Sequence, residues 1–282
     1  MEYFIKNKII EQPILFHKGV RDDPSINVFK DIHTGALVLD KIKEQKYETN
    51  GLSYWNSENI NDARNTTYDD DLRRYKQLNN INFKTLLDFG CGNGGLLKII
   101  NNEEKDKNVI GIELNNELLK YLNSEKIICY NKINKIPSNN IFDCIMLNHV
   151  LEHLYDPIKT LKQIRERMNS KTLLIIEVPH ANDFLISEYD CHEFKKFTFW
   201  SEHLILYTEK SLVNLLNIVG FTNIKINYYQ RYNIFNHLGW LSNGTPGGHK
   251  TTKLNDNELV DTYNKFLIKQ KKTDTIIAYC YI

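Results

Sequence analysis

One stretch concentrates chemistry: Leu86-Leu87-Asp88-Phe89-Gly90-Cys91-Gly92-Asn93-Gly94-Gly95. An apolar run ends in a carboxylate, then a glycine-rich turn, then the apolar start of a helix at Leu96, Leu97, Ile99 and Ile100. That order reads as a buried strand, a tight loop and a helix, which together receive a nucleoside-type ligand. Gly90, Gly92 and Gly95 also satisfy G-x-G-x-x-G, so a dinucleotide competes for the same turn. Asp88 separates the two ligands. A carboxylate two residues before the first glycine repels a pyrophosphate but suits a ligand whose amino-acid end is cationic and which carries no phosphate. S-adenosylmethionine (SAM), with its ammonium and sulfonium, is such a ligand. Val109-Ile110-Gly111-Ile112-Glu113 places a second acid 25 residues after Asp88, where ribose hydroxyls are bound in adenosine sites generally.

Leu86 to Gly94 resembles the first motif of the class I SAM-dependent methyltransferases, apolar-apolar-Asp-apolar-Gly-Cys-Gly-x-Gly. The resemblance extends over roughly residues 60 to 282. Phe142 to His153 is similar to the fourth strand and following loop of that family, and Leu173 to Pro179 to its fifth strand. It implies a Rossmann-like α/β fold with a mostly parallel seven-stranded sheet and a final antiparallel strand. It also implies SAM as cofactor, held by Asp88, Gly90, Cys91, Gly92, Gly94 and Glu113, with Asn148 and His149 nearby. The third strand ends at Tyr130 without the acid that would contact adenine, and Asn131 is a weak substitute.

The acceptor side has several candidates. Phe197-Thr198-Phe199-Trp200-Ser201-Glu202-His203-Leu204 resembles the Glu-His-aromatic segment of sugar C-methyltransferases, whose histidine faces the acceptor. On that basis Glu202 and His203 are catalytic candidates, histidine being the default base near neutral pH. The alternative is that His203 packs beneath the sheet and bonds to backbone. Trp200 stands where that group has a tyrosine, which leaves O-methylation favoured over C-methylation. His180, beyond the fifth strand, is a second base candidate. His149 and His153 flank Glu152, but the H-E-x-x-H order of zinc hydrolases is absent, so no metal is expected there. Acceptor-binding candidates are His153, Trp200, Arg231, His237, His249 and Lys250. The last two belong to Pro246-Gly247-Gly248-His249-Lys250, a loop suited to an anion or else merely a surface turn.

These residues must be carried by a sizeable scaffold. The chain has 282 residues, 41% of them apolar, enough for one large domain with appendages. Residues 1–57 form an N-terminal extension with short β-like pieces at Ile14-Leu15-Phe16, Ile26 to Phe29 and Ala36 to Leu39. Related sugar methyltransferases carry a zinc-binding C-x-x-C-G there; Asp31-Ile32-His33-Thr34-Gly35 stands in its place, so no zinc is expected. From about Glu58 to Asn80 a helical pattern predicts a cover over the sheet edge and cofactor. Alternating strands and helices from Phe83 to Val178 predict parallel βαβ units. Thr208 and Gly220 bracket another helix. Residues 230–274 form an insertion before the last strand, and the acceptor cap is placed there.

The net charge of +1 gives no footprint for nucleic acid or an anionic membrane, and no Asn/Asp-Pro-Pro-aromatic motif follows the fourth strand. No apolar run is long enough to cross a bilayer. Five scattered cysteines read as reduced thiols in a cytoplasmic protein. The reading is therefore a cytoplasmic enzyme methylating a small sugar or phosphorylated precursor in bacterial capsule or surface-polysaccharide biosynthesis. Two alternatives stay open at this stage. One is an NAD-dependent sugar-nucleotide oxidoreductase, against which Asp88 argues; the other is a catalytically idle SAM-binding partner module.

Overall fold

The computed structural model describes residues 1–42, 60–251 and 256–282. A seven-stranded sheet in the order β10-β11-β8-β7-β4-β5-β6 forms its centre. β4 (Thr85–Phe89) pairs in parallel with β5 (Asn108–Ile112) on one side and β7 (Cys144–Asn148) on the other; β6 (Cys129–Tyr130) and β8 (Leu173–Pro179) extend the two flanks in parallel. The last strand, β11 (Thr275–Tyr281), inserts antiparallel between β8 and β10 (Thr222–Tyr229). This is the expected Rossmann-like α/β topology.

Side-chain alternation explains why these segments lie in the middle. Leu87, Ile145, Leu147, Leu174 and Ile176 enter one buried cluster, while Leu86, Cys144, Met146 and Ile175 enter another on the opposite face. A strand buried on both faces reads as a continuous apolar run, which is what these sequences are. Fully burying each such residue contributes about 1.5–3 kcal/mol before conformational entropy is charged against it. Three of the connecting helices start on side-chain caps. Asn115 accepts from the amides of Glu117 and Leu118 ahead of α4 (Asn116–Ser124). Asp156 accepts from Lys159 N–H where Pro157 opens α5 (Pro157–Arg165). Thr208 and Ser211 cap each other's backbone at α7 (Glu209–Val219), which ends on Gly220 at φ +90°.

The N-terminal extension, which opens with α1 (Glu2–Lys6), is stitched to the main domain. β1 (Pro13–His17), β2 (Val28–Asp31) and β3 (Leu37–Leu39) form an antiparallel meander, and β3 pairs with β9 (Ile205–Leu206) from the main domain. Asp31 lies where the first thiolate of a zinc knuckle would fall, and a carboxylate staple holds the turn. One Asp31 oxygen accepts from the amides of Glu11 and Gln12, the other from the amide and hydroxyl of Thr34. The extension also grips the segment after α6 (His192–Thr198). Arg21 N–H donates to the Phe199 carbonyl, Ser201 N–H donates to Asp22, and the Arg21 guanidinium sits 4.7 Å from the Trp200 ring centre.

The insertion between β10 and β11 contains α8 (Ile234–Asn243), a single turn at Gly248–Thr251, and α9 (Asn257–Gln270). It is helical rather than a loop. No helix among the described residues is long and apolar enough to cross a membrane.

Candidate active site

A cleft of about 470 Å³ opens above the carboxyl ends of β4, β5 and β7, the expected location of a ligand on an open α/β sheet. Asp88, Gly90, Cys91, Gly92 and Asn93 form its floor, and Ile112, Glu113 and Leu114 one wall. Asn148, His149, Val150 and His153 form the opposite wall, and Asp70, Asp71 and Arg74 cover it. The covering residues come from α2 (Ile60–Leu78), so the expected lid helix is where it was placed.

The turn is built as the glycines require. Gly90, Gly92 and Gly94 all have positive φ. A Cβ at Gly90 would meet Val150 Cγ2 at 2.4 Å, whereas a Cβ at Gly92 would meet nothing within 4 Å. The backbone at Gly92 is thus bare and faces open space where a nucleoside can lie against it. Gly94 does not line the cleft; its αL conformation caps α3 (Gly95–Glu103) beside Leu122. Gly90 and Cys91 N–H both donate to the Ile112 carbonyl, and Glu113 accepts from the amides of Gly92 and Asn115, tying the two loops together.

Asp88 is buried at the cleft floor. Burial pushes its carboxyl up to about 7, with Asp71 and Glu113 adding to the rise and Arg74 and Asn148 opposing it. A carboxylate that is costly to ionise when alone is stabilised by an arriving cation. The neighbouring groups fit an amino-acid tail. Arg74 Nε and Asn148 Oδ1 are buried with no hydrogen-bond partner among the described residues, and both side chains line the cleft. Asp88 and Asn148 Oδ1 would receive the ammonium of SAM, Arg74 its carboxylate, and Glu113 its ribose.

A buried charge network then joins the lid to the sheet. Glu177 accepts from Arg73 through both oxygens, at 2.8 and 2.7 Å, and from Arg74 at 2.8 Å. His149, at φ +54°, lies 3.3 Å from Glu152 on one side and 3.3 Å from Glu177 on the other. Burial and Arg231 lower its basicity, but the hydrogen bonds to Glu152 and Glu177 prevail and raise it. Its Nε2 is also 3.1 Å from Arg231. With carboxylates on both sides the imidazolium is favoured, so Nε2–H donates to Glu177, while the Arg231 guanidinium is held by Asp70.

The acceptor end is a corner of aromatic and imidazole groups. The His153 ring centre lies 4.9 Å from that of His203 and 6.4 Å from that of Trp200. His153 Nδ1–H donates to the Glu202 carbonyl at 2.8 Å. Burial would push the Glu152 carboxyl up, yet its hydrogen bond to His149 and the nearby His153, His149 and His203 hold it down to about 2. Burial, then His153, lowers His203 to about 3. His203 is therefore neutral and a weak proton acceptor.

Of the sequence-derived acceptor candidates, the structure brings His153, Trp200 and Arg231 into the cleft wall, with the His203 ring edge-on to His153. Glu202 contributes its carbonyl rather than a cleft-facing carboxylate. His180 is not brought there. It is 2% exposed, donates Nδ1–H to the Thr273 carbonyl, and lies against Tyr228; burial lowers it to about 4. His237 is likewise enclosed, stacked on Phe184 and bonded to Tyr263 and Gln230. His249 turns to Asn236, Lys250 is exposed, and neither these residues nor Asn131 line the cleft. Among the described residues of the insertion, Arg231 alone lines the cleft. Asp70, Asp71, Arg74, Glu177 and Tyr155 were not singled out from the sequence, and Glu152 was noted only as the carboxylate between His149 and His153. Arg73-Arg74 on a predicted lid and Glu177 ending an apolar strand were the available signals.

Residues 60–226, well over half of the chain, match the family described as "Methyltransferase domain". The chain belongs to this family. That membership excludes the oxidoreductase alternative. A curated relative, an uncharacterized protein of Methanocaldococcus jannaschii, is 34% identical over 113 residues, covering 40% of this chain and 48% of that protein. The match thus spans about half the length of the relative. Solved structures with the same fold include a SAM-dependent methyltransferase from Archaeoglobus fulgidus, with TM-score 0.53 and 18% identity over 78% of this chain and 94% of that one. A Thermotoga maritima SAM-dependent methyltransferase gives TM-score 0.51 and 15% identity over 79% and 93%. The plantazolicin methyltransferase BpumL, solved with S-adenosylhomocysteine (SAH), gives 0.50 and 15% over 81% and 91%. At these identities the likeness establishes the fold of the methyltransferase domain, and its cleft residues fit the cofactor of those enzymes.

Proposed function

We propose that the chain transfers the methyl group of SAM to a hydroxyl of a small, carbohydrate-related acceptor, in bacterial capsule or surface-polysaccharide assembly. The observation that carries this reading is one continuous cleft with Asp88 and the bare Gly92 backbone at one end and His153 and Trp200 at the other. Its volume suits a nucleoside plus a small acceptor rather than a macromolecular strand. Trp200 offers a flat apolar face of the kind sugars stack on. Exposed Tyr155 and half-buried Leu154 at the opening give an amphipathic rim.

Methyl transfer is an in-line displacement in which the acceptor oxygen forms a bond to the methyl carbon while the carbon–sulfur bond breaks. The domain's main contribution is alignment of the two reactants, which is worth several kcal/mol. A hydroxyl must also lose its proton, and the Glu152–His153–His203 corner is where the chain has the groups for that task. The extension aids catalysis indirectly, through the bonds from Arg21 and Asp22 that fix the Trp200–His203 turn. The test is incubation with SAM and a panel of nucleotide sugars, free sugars and sugar phosphates, read by mass spectrometry. Gain of one methyl group on a sugar hydroxyl supports the reading. Turnover confined to a non-carbohydrate acceptor overturns the substrate class and leaves the donor assignment intact.

A further inference from the structure

The chain-distant pair Glu152-His153 and His203 meets in the acceptor corner, with one donor atom from each residue lying within 4.8 Å of the others. Ligand atoms around a cation at about 2.1 Å stand roughly 3.4 Å apart in a tetrahedral site, so each donor would move inward by less than ~1 Å.

Three further features distinguish this cluster from a chance grouping. First, the supporting bonds are those of a ligand shell. His153 Nδ1–H is fixed by the Glu202 carbonyl, which aims Nε2 outward, and Glu152 Oε1 receives Nδ1–H of His149 at 3.3 Å. Metal-binding histidines and carboxylates are oriented by such secondary contacts. Second, the corner holds orphaned polar atoms. Glu152 Oε2, His203 Nδ1 and the hydroxyl of Tyr207 are buried without a hydrogen-bond partner among the described residues, and the Glu152 and Tyr207 side chains are both fully buried. Leaving such atoms unsatisfied costs about 1–3 kcal/mol each, so a native site normally supplies a partner. Third, the cluster meets the cleft, because His153 lines it and Trp200 lies beside both imidazoles.

We propose that Glu152, His153 and His203 bind a single divalent first-row transition-metal ion that receives the acceptor's oxygen. Two imidazoles and one carboxylate favour a cation of the zinc, cobalt, iron or manganese type over magnesium or calcium, which prefer oxygen donors. Three protein ligands leave a coordination position open toward the cleft, as in catalytic rather than structural metal sites. The acceptor hydroxyl occupies that position and ionises, and its proton passes to solvent water. The resulting oxyanion attacks the methyl carbon, the carbon–sulfur pair stays on sulfur, and SAH leaves. This inference rests on the methyl-transfer reading but can fail separately from it.

The test is titration of chelator-treated protein with Co²⁺, followed by visible absorption and by calorimetry, with no methyl transfer measured. The expected result is one ion per chain with the d–d bands of a four- or five-coordinate N/O site. His203→Ala and Glu152→Gln should weaken it at least about a hundredfold, beyond the 10–100-fold that loss of a secondary contact produces. His249→Ala, outside the cluster, should leave it unchanged. SAH titration of the same samples reports whether each variant is folded with its cofactor cleft intact. If wild-type protein that binds SAH takes up no Co²⁺, or if SAH-competent His203→Ala binds it as tightly, the site is wrong. Failure to bind SAH would instead overturn the cofactor assignment.

Discussion

Ionisation of Asp88 gives the cofactor assignment a pH signature. Its carboxyl is held up at about 7 in the free protein, burial being the main cause. A bound ammonium stabilises the carboxylate and lowers that value in the complex. Affinity for an ammonium-bearing ligand is therefore full above pH 7 and is lost as the pH falls through 7. With a value near 7, about 3% of the free protein has Asp88 ionised at pH 5.5 and half at pH 7, a ratio near 15 or about 1.6 kcal/mol. SAH is the suitable ligand, since it keeps the ammonium and its α-amino group is mostly protonated at and below pH 7. Calorimetry between pH 5.5 and 7 should show the dissociation constant tightening by about that factor, with roughly half a proton released per SAH bound at pH 7. Glu113, also raised by burial, titrates in the same cleft, so Asp88→Asn is the necessary control. That variant should bind SAH about 10- to 100-fold more weakly at pH 7, the worth of a hydrogen bond to a charged group, and with a much flatter profile. A flat wild-type profile, or an unchanged slope in Asp88→Asn, refutes the reasoning.

Other perturbations test the supporting structure. Gly90→Ala places a Cβ 2.4 Å from Val150 Cγ2 at φ +80°, so SAH affinity should fall at least tenfold, with partial recovery in Gly90→Ala/Val150→Ala by calorimetry. Glu177→Gln leaves Arg73, Arg74 and His149 buried around a neutral group, and denaturant unfolding should show a loss of about 3–5 kcal/mol. The exposed Lys271–Glu209 pair, cut by Lys271→Ala, should cost under about 1 kcal/mol in the same assay. Asp31→Ala strands three backbone amides and a hydroxyl, for an expected loss of about 2–4 kcal/mol. Burial opposes ionisation of Asp31, but those bonds prevail and hold its carboxyl below its usual value, so its contribution is full at neutral pH and declines as the pH falls from about 4 through that lowered value.

The cofactor half of the cleft was legible because it is local. β4, the glycine turn and the start of α3 are contiguous, and each residue type there has one evident geometric reason to be present. The capped helix from Thr208 to Gly220 followed from the same kind of short-range pattern, whereas the layout of the sheet came from the family resemblance. The acceptor half is assembled from segments 50 or more residues apart, such as Glu152 with His203 and Arg231 with Asp70. Sequence spacing carries no signal for such meetings. Histidine identity alone was also a poor guide, since His180 and His237 are occupied by carbonyl, hydroxyl and amide partners inside the fold. That the Asp31 carboxylate holds its turn through four hydrogen bonds required the structure to be seen.

The central claim is that the glycine turn beside Asp88 accepts a cationic sulfur nucleoside. Calorimetric titration of the intact chain with SAM, SAH and NAD at pH 7 tests it most directly. The account expects one-to-one binding of SAM and SAH and no heat from NAD; tight NAD binding, or silence from both sulfur ligands, contradicts it.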